Sequence, residues 1–508
     1  MKHRRILSGL AALMLAASLP MSALAREWDI ADGDITIVAD NDGQKVSQGT
    51  ENDISDDNPV IIGNSATNTV SIVAEKDRTA NVTLSGANID GSTKGNAAVS
   101  TTGEGNVSIE LDGDNTLKSG KGHAGLEKKN GGKLTIADED KNGKLTAEGG
   151  KYGAGIGGGD QGAGSGITIT GGEIKATGGQ YGAGIGGGKG AGSDITISGG
   201  EVNATGGTSG AGIGGGYNGN GSDITITDGE VNATGGKYGA GIGGGEYGIG
   251  KDIIITGGEV NATGGRFSAG IGGGSRGTGS DITISGGEVN ASGGVNGAGI
   301  GGGLRSKGKD ITVSGDTKLK VQGGDEDHYD GAGAGIGDGG SNAYGTKILG
   351  AEVEPDTSGL TTGRIEYYAP GADMDKDAPS QTIVGTYIPP QPAREAAAPA
   401  QPTAPLYRVT DGDGKDVSYE TTWRDGVLTV TVEADRAVLT GRLSGIASLQ
   451  AQGIERIVFI TKGATSEFLT ADLLASAPAT EHYALTHDGE TVTFTAGEAD
   501  VSGILVKA

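Results

Sequence analysis

One short string governs what this chain can fold into. Ala-Gly-Ile-Gly recurs with its isoleucine at Ile156, Ile185, Ile213, Ile242, Ile271, Ile300 and Ile336, in steps of 29, 28, 29, 29, 29 and 36 residues. A second string keeps the same beat: Asp194-Ile195-Thr196-Ile197, then Asp223, Asp252, Asp281 and Asp310 with the residues after them. A third, Glu201-Val202-Asn203-Ala204-Thr205, returns at Glu230, Glu259 and Glu288. Within each string the apolar residues alternate with polar ones or glycine, which is the period of a strand and not of a helix. Ile195, Ile197, Val202, Ala204, Ala211 and Ile213 share the inner side. Asp194, Thr196, Ser198, Glu201, Asn203, Thr205, Gly210, Gly212 and Gly214 face out.

Three short strands per unit cannot stand alone. Six inward groups, several of them alanine, supply roughly 1.5–3 kcal/mol for each large one. Ordering the backbone costs about 1–2 kcal/mol per residue. Stacking solves the deficit, because each strand then pairs with the unit above and below and like residues form ladders. The expected fold is an all-β, right-handed parallel β-helix of about 29-residue coils with three strands per coil. Residues 26–150 contain strands such as Ile35–Val38, Val70–Val73, Val82–Leu84, Val107–Ile109 and Leu134–Ile136 without the glycine clusters, and read as irregular N-terminal coils and a cap. Residues 151–345 are the regular coils and 346–388 a C-terminal cap. Pro389, Pro390, Pro392, Pro399, Pro402 and Pro405 mark a linker over 389–405. Residues 406–508 lack the repeat and form a small α+β or mostly β domain. Its strands are Val427–Val432, Arg456–Ile460, Thr491–Thr495 and Gly503–Val506, with a short helix over Ser466–Ala475.

Composition removes several alternatives. Glycine numbers 104 of 508 residues but comes in runs, not at every third position, so the chain is not collagen. The formal charge is −25, which repels nucleic acid and anionic lipid and requires a cation to bridge the chain to an acidic polymer. No cysteine exists for a disulfide, a zinc thiolate or a thiol nucleophile. Residues 1–25 read as a signal peptide: Lys2, Arg4 and Arg5, an apolar Ile6–Leu19 segment, and Ala23-Leu24-Ala25 before the cleavage point. The protein is expected to be secreted or extracellular, from a Gram-positive bacterium, monomeric, and not inserted in a membrane once the leader is removed.

Two outward ladders are candidate ligand surfaces. Glu173, Glu201, Glu230, Glu259 and Glu288 stack at about 4.8 Å. Such a row can gather divalent cations and hold an acidic glycan, or it can be a solvated face beside an amide ladder of Asn203, Asn232, Asn261 and Asn290. Tyr152, Tyr181, Tyr238 and Phe267 share one position, interrupted by Ser209 and Asn296. Rings in a row can stack sugar faces, or can staple neighbouring turns by corner packing. Asp138, Asp140 and Asn142 match the oxygen-bearing positions of a calcium loop, with Gly143 at the turn, but the twelfth position is Gly149 where a bidentate carboxylate belongs. A plain polar turn is the other reading. Asp411-Gly412-Asp413-Gly414 reads as a hairpin turn.

Catalysis finds little footing. The five histidines do not recur, and near-identical coils leave no unique site. The acidic stretch Asp325–Asp330 in the widened 36-residue step reads as a loop insertion. Glycine runs such as Gly155-Ile156-Gly157 lack the following helix that a phosphate loop requires.

The strings Gly199-Gly200-Glu201-Val202-Asn203-Ala204-Thr205-Gly206-Gly207 and Tyr238-Gly239-Ala240-Gly241-Ile242-Gly243-Gly244-Gly245 resemble the repeats of secreted surface proteins from gut-dwelling Clostridia. The segments Val82–Ala87, Asp112–Leu117 and Leu134–Ile136 are similar to bacterial carbohydrate-binding β-helix domains. That resemblance implies binding of acidic plant polysaccharide with calcium, and it places no ligand residue. The leading expectation is therefore a non-enzymatic glycan-binding or adhesive β-helix whose partner is a polysaccharide or cell-surface glycan, with Ca²⁺ as the one cofactor considered. A spacer that displays the C-terminal domain, a polysaccharide lyase, and an ice-binding face built on Thr196, Thr225, Thr283 and Thr312 are the alternatives.

Overall fold

The computed structural model describes residues 26–343, 346–385 and 407–506, apart from 425, 452, 477–481 and 498. The leader at 1–25 and the linker at 389–405 lie outside them. The described residues form two compact units, divided at Pro389–Pro390.

The first unit is a parallel β-helix. Two of its faces belong to one 21-stranded sheet and the third to a 13-stranded sheet. In the latter, Gly43–Gln48 and Glu51–Ser55 run antiparallel, which leaves eleven parallel rungs. Register is set by the inward residues. Ile167, Ile195, Ile224, Ile253, Ile282 and Ile311 form one column. Ile174, Val202, Val231, Val260, Val289 and Leu319 form another. The Ala-Gly-Ile-Gly isoleucines stack from Ile156 to Ile336 on the third face. These columns are almost completely excluded from solvent. A one-residue slip would turn every one of them outward, so burial locks the register.

The first two faces are less separate than the glycine spacing suggests. Gly192–Thr205 and Gly221–Thr234 each run as one 14-residue strand across both, with a register shift at Ser198. Each of the five regular first-face strands from Gly192 to Val313 carries, as its third residue, an aspartate in the left-handed region: Asp194, Asp223, Asp252, Asp281 and Asp310, at φ between 50° and 56°. Aspartate is among the few residues that tolerate this conformation.

The ends of the solenoid are closed. Gly43–Gln48 covers the first rung with Val46. Gln44 pairs its side-chain amide with the backbone of Asn81 at 2.8 Å in both directions, standing in for a main-chain rung. Trp28 is buried beneath it and donates its indole N–H to Asp56 at 2.9 Å. At the other end Arg364–Tyr368 pairs in parallel with Lys318–Gln322, and Gln381–Val384 then turns antiparallel and stops propagation.

The second unit contains a five-stranded and a four-stranded sheet around a core of Phe459, Phe468, Tyr483 and Phe494. Val427–Thr431 and Arg456–Ile460 are strands close to expectation. The helix expected at Ser466–Ala475 starts later, at Thr470, because Thr465–Leu469 pairs antiparallel with Arg456–Ile460. A second helix, Leu443–Ala451, and a 3-10 turn at Ser502–Ile504, in place of a final strand, are further departures.

Candidate functional site

The surface chemistry of the solenoid follows from how its coils turn. Gly210, Gly212 and Gly214 are buried, contrary to the outward face expected for them. Ala211 N–H bonds back to Gly215 C=O at 2.9 Å, so the following turn folds over this segment. A Cβ on Gly207 would stand 1.6 Å from Gly179 O, and one on Gly216 1.5 Å from Gly188 O. The glycine runs therefore let backbone meet backbone between coils and offer no approach to a ligand.

The turns flanking the third face carry the rings. Tyr152 and Tyr181 stack at 5.4 Å between centroids, and Tyr238 and Phe267 at 5.9 Å. Tyr217, whose repeat position holds unlike residues in the other coils, extends the row from Tyr181 to Tyr247. Tyr217 N–H bonds Tyr181 C=O at 2.8 Å, and its ring meets Tyr181 edge-on at 5.6 Å and Tyr247 at 6.1 Å. Cations sit against the rings: Lys121 and Lys151 by Tyr152, Lys189 by Tyr217, Lys237 by Tyr238, Arg266 by Phe267 and Arg276 by Tyr247, at 4.9–6.0 Å. Ring faces thus turn to neighbouring rings and cations, and the strip presents edges, phenol hydroxyls and positive charge to solvent. In sequence only the alternation Lys151-Tyr152, Lys237-Tyr238, Arg266-Phe267 signalled the cations. Tyr217 and Tyr247 gave no signal, because their repeat positions hold unlike residues in the other coils.

At the corner between the first two faces, Glu173, Glu201, Glu230, Glu259 and Glu288 stand in register. Lys144 pairs with Glu173 at 2.6 Å and Lys318 with Glu288 at 3.7 Å, so the row is bracketed by cations. The hydrogen bond to Glu173 raises the Lys144 ammonium above the usual lysine range. Beside the row the amide ladder exists: Asn232 donates to Asn203 at 3.1 Å, Asn261 to Asn232 at 3.0 Å and Asn290 to Asn261 at 2.8 Å. Asp138 and Asn142 line a groove together with Glu173 and Glu201. Asp138 accepts the Gly143 N–H at 3.1 Å and Asp140 the Asn142 side-chain amide at 2.7 Å, so both carboxylates are engaged within their own turn. Among the described residues no group of three or more histidine, cysteine, aspartate or glutamate side chains is arranged to hold a metal ion. Asp411–Lys415 is a tight hairpin turn, with Asp411 accepting the Asp413 and Lys415 N–H groups at 2.9 Å.

A cleft that none of these ladders lines lies at the C-terminal end of the first face. The segment before Asp356 is laid against the last coils: Val353 N–H bonds Ile336 C=O at 2.8 Å, Asp356 N–H bonds Ile311 C=O at 2.9 Å, and Val313 N–H returns to Asp356 C=O at 2.9 Å. The overhang makes a cleft of about 810 Å³ against Asp252, Ile254, Asp281, Thr283, Lys309, Asp310 and Thr312, with Val353, Glu354 and Asp356 on its other wall. Ile254 replaces the ladder threonine here and is 42% exposed. Lys309 donates to Asp310 at 2.7 Å, and that bond raises its pKa. The N–H of Ser358 holds the Asp356 carboxyl below the usual range. The cleft thus joins fixed anions, hydroxyl groups, one ammonium and an apolar patch. Sequence reading missed it because its second wall comes from the non-repeating cap.

A family model for the β-helix repeat matches residues 141–160, 167–189, 195–217, 224–246, 253–275 and 282–304. The first unit is a parallel β-helix that carries this repeat. The matched segments carry the whole glutamate row and every ring of the strip except Tyr247. Comparison with curated proteins and with solved structures finds no significant match. Among the described residues no helix is long and apolar enough to cross a membrane.

Proposed function

We propose that the protein is an extracellular, non-enzymatic carbohydrate-binding β-helix that acts as an adhesin, with the glycan held in the cleft under the C-terminal cap. The observation that carries this reading is the mixture lining that cleft. Carboxylates of Asp281, Asp310 and Asp356 accept from vicinal hydroxyls, Thr283, Thr312 and Lys309 donate, and Ile254 offers an apolar seat for a sugar ring. Asp252, Asp281 and Asp310 come from the same position of successive coils and stand one coil apart, a spacing suited to a polymer held through repeated weak contacts. The same repetition speaks against a catalytic pair, which requires two carboxyls with different environments.

Polysaccharide pull-down and glycan-array binding of the protein, with and without Ca²⁺, test the reading. Asp281→Asn with Asp310→Asn is expected to weaken binding at least about tenfold. Absence of binding to any plant or host polysaccharide in both conditions, or unchanged binding by the double variant, would refute it. A compact C-terminal unit with its own core favours one second reading, in which the solenoid is a spacer that displays that unit.

A further inference from the structure

We propose that the solenoid binds a second copy of itself side by side, the cationic ring strip of one copy lying along the glutamate row of the next. The two surfaces are chemical opposites built on one spacing. Lys151, Lys237 and Arg266 each precede a strip ring, in a row set by the same coils that set the glutamate row. All three are exposed. Arg266 has one carboxylate at the edge of ion-pair range, Asp327 at 3.9 Å, and among the described residues Lys151 and Lys237 have none. On the other surface Lys144 and Lys318 compensate only the two ends of the row. Glu201, Glu230 and Glu259 have no lysine or arginine within ion-pair distance among the described residues.

Placement in the coil makes the contact open-ended. Each glutamate opens the second-face part of its coil, as in the strand Glu259–Thr263, and each basic residue stands on the turn that follows, as Arg266 does. Strip and row therefore occupy the two edges of the second face, and each copy offers one surface to each neighbour. Such a heterologous contact propagates and does not close as a dimer. Because rungs recur at about 4.8 Å on both partners, Lys237 and Arg266 meet two successive glutamates and Lys151 a third, with Gln180 and Thr208 at the positions between. The formal charge of −25 makes like-charged contacts between copies repulsive and favours those that set the scarce cations of the strip against an acidic row. Rings pinned by their neighbours supply contact area with little side-chain freedom left to lose.

The test is a charge swap in the full-length protein, read by sedimentation velocity and small-angle X-ray scattering at low ionic strength. Wild type is expected to form concentration-dependent, laterally growing species that dissociate as salt rises. Strip reversal (Lys151→Glu, Lys237→Glu, Arg266→Glu) and row reversal (Glu201→Lys, Glu230→Lys, Glu259→Lys) are each expected to weaken self-association at least about tenfold. Mixing the two reversed proteins restores assembly, since each then carries the complement of the other. Neutral variants with glutamine at the same positions, checked for fold by circular dichroism, give the intermediate loss if either reversal misfolds. A monomer at submillimolar concentration in low salt, assembly indifferent to both reversals, or failure of the mixed pair to assemble overturns the proposal.

Discussion

Replacing Gly214 with alanine isolates the contact on which the regular coils depend. The residue has φ of 127°, and a Cβ there would stand 2.1 Å from Gly243 O. Ordinary contact begins near 3.4 Å, so the two coils must part by about 1.3 Å, the difference between these distances. Gly215 N–H bonds that same oxygen at 2.9 Å, and Ile213 N–H bonds Gly241 C=O at 3.0 Å across the same two coils. Two buried hydrogen bonds are stretched past their useful range, each with a net value of roughly 0.5–1.5 kcal/mol and a larger penalty where a buried group is left unpaired. Left-handed strain adds about 1–2 kcal/mol. The expected loss is about 4 kcal/mol. Gly113 supplies the control: its φ is 63°, and the nearest atom to a Cβ is 3.9 Å away. Gly113→Ala should show conformational strain alone, about 1 kcal/mol. Urea unfolding followed by far-UV circular dichroism separates the two, with hydrogen exchange locating the opened coils. Equal midpoints for the two variants, or a wild-type midpoint for Gly214→Ala, would mean that backbone contact between coils does not hold the third face.

Three further outcomes follow from the geometry. Tyr181→Ala removes one stacked and one edge-on ring contact and should destabilise the solenoid by about 1–3 kcal/mol, seen as a lowered thermal midpoint. Asn232→Ala breaks the amide ladder at a residue that both donates and accepts; a loss of about 1–2 kcal/mol in the same melt is expected, and an unchanged melt would show the ladder to be passive. His487, buried between Thr461 and Ser466, has its pKa lowered by burial from 6.5 to about 4. The unfolded chain therefore binds more protons between these values. Stability is fully present above about pH 6.5 and falls as pH drops toward 4, by about 3 kcal/mol in all. His487→Gln should flatten this part of the pH profile of the C-terminal unit, measured by hydrogen exchange on the whole protein.

The alternation of Ile195, Ile197, Val202 and Ala204 with polar neighbours made the coil readable, because burial on one side of a strand leaves a period of two in any sequence. The same rule misplaced Gly212 and Gly214, since alternation assigns a side but cannot show that a later turn folds over it. The glutamate and asparagine rows were legible for the reason the coils were: an identical residue at an identical step must stack. Tyr217 reached the ring strip from the turn after the third face, where its N–H bonds Tyr181 C=O one coil away, a contact that exists only once coils are superposed. The cleft needed Glu354 and Asp356, whose sequence surroundings carry no period at all. In the C-terminal unit Thr465–Leu469 carries little strand signal of its own, and its hairpin pairing with the preceding strand Arg456–Ile460 displaced the start of the expected helix.

The close apposition of glycine backbones has a consequence for how such a chain changes over generations. Each regular coil hands its successor the same surface that it received from its predecessor. A whole coil can therefore be duplicated or excised between Gly164 and Gly308 without reshaping either closed end. Drift within a coil meets a steric wall at nearly every third-face glycine, whereas a change in the number of coils meets none. Length, not residue identity, is the variable that this architecture leaves open to selection.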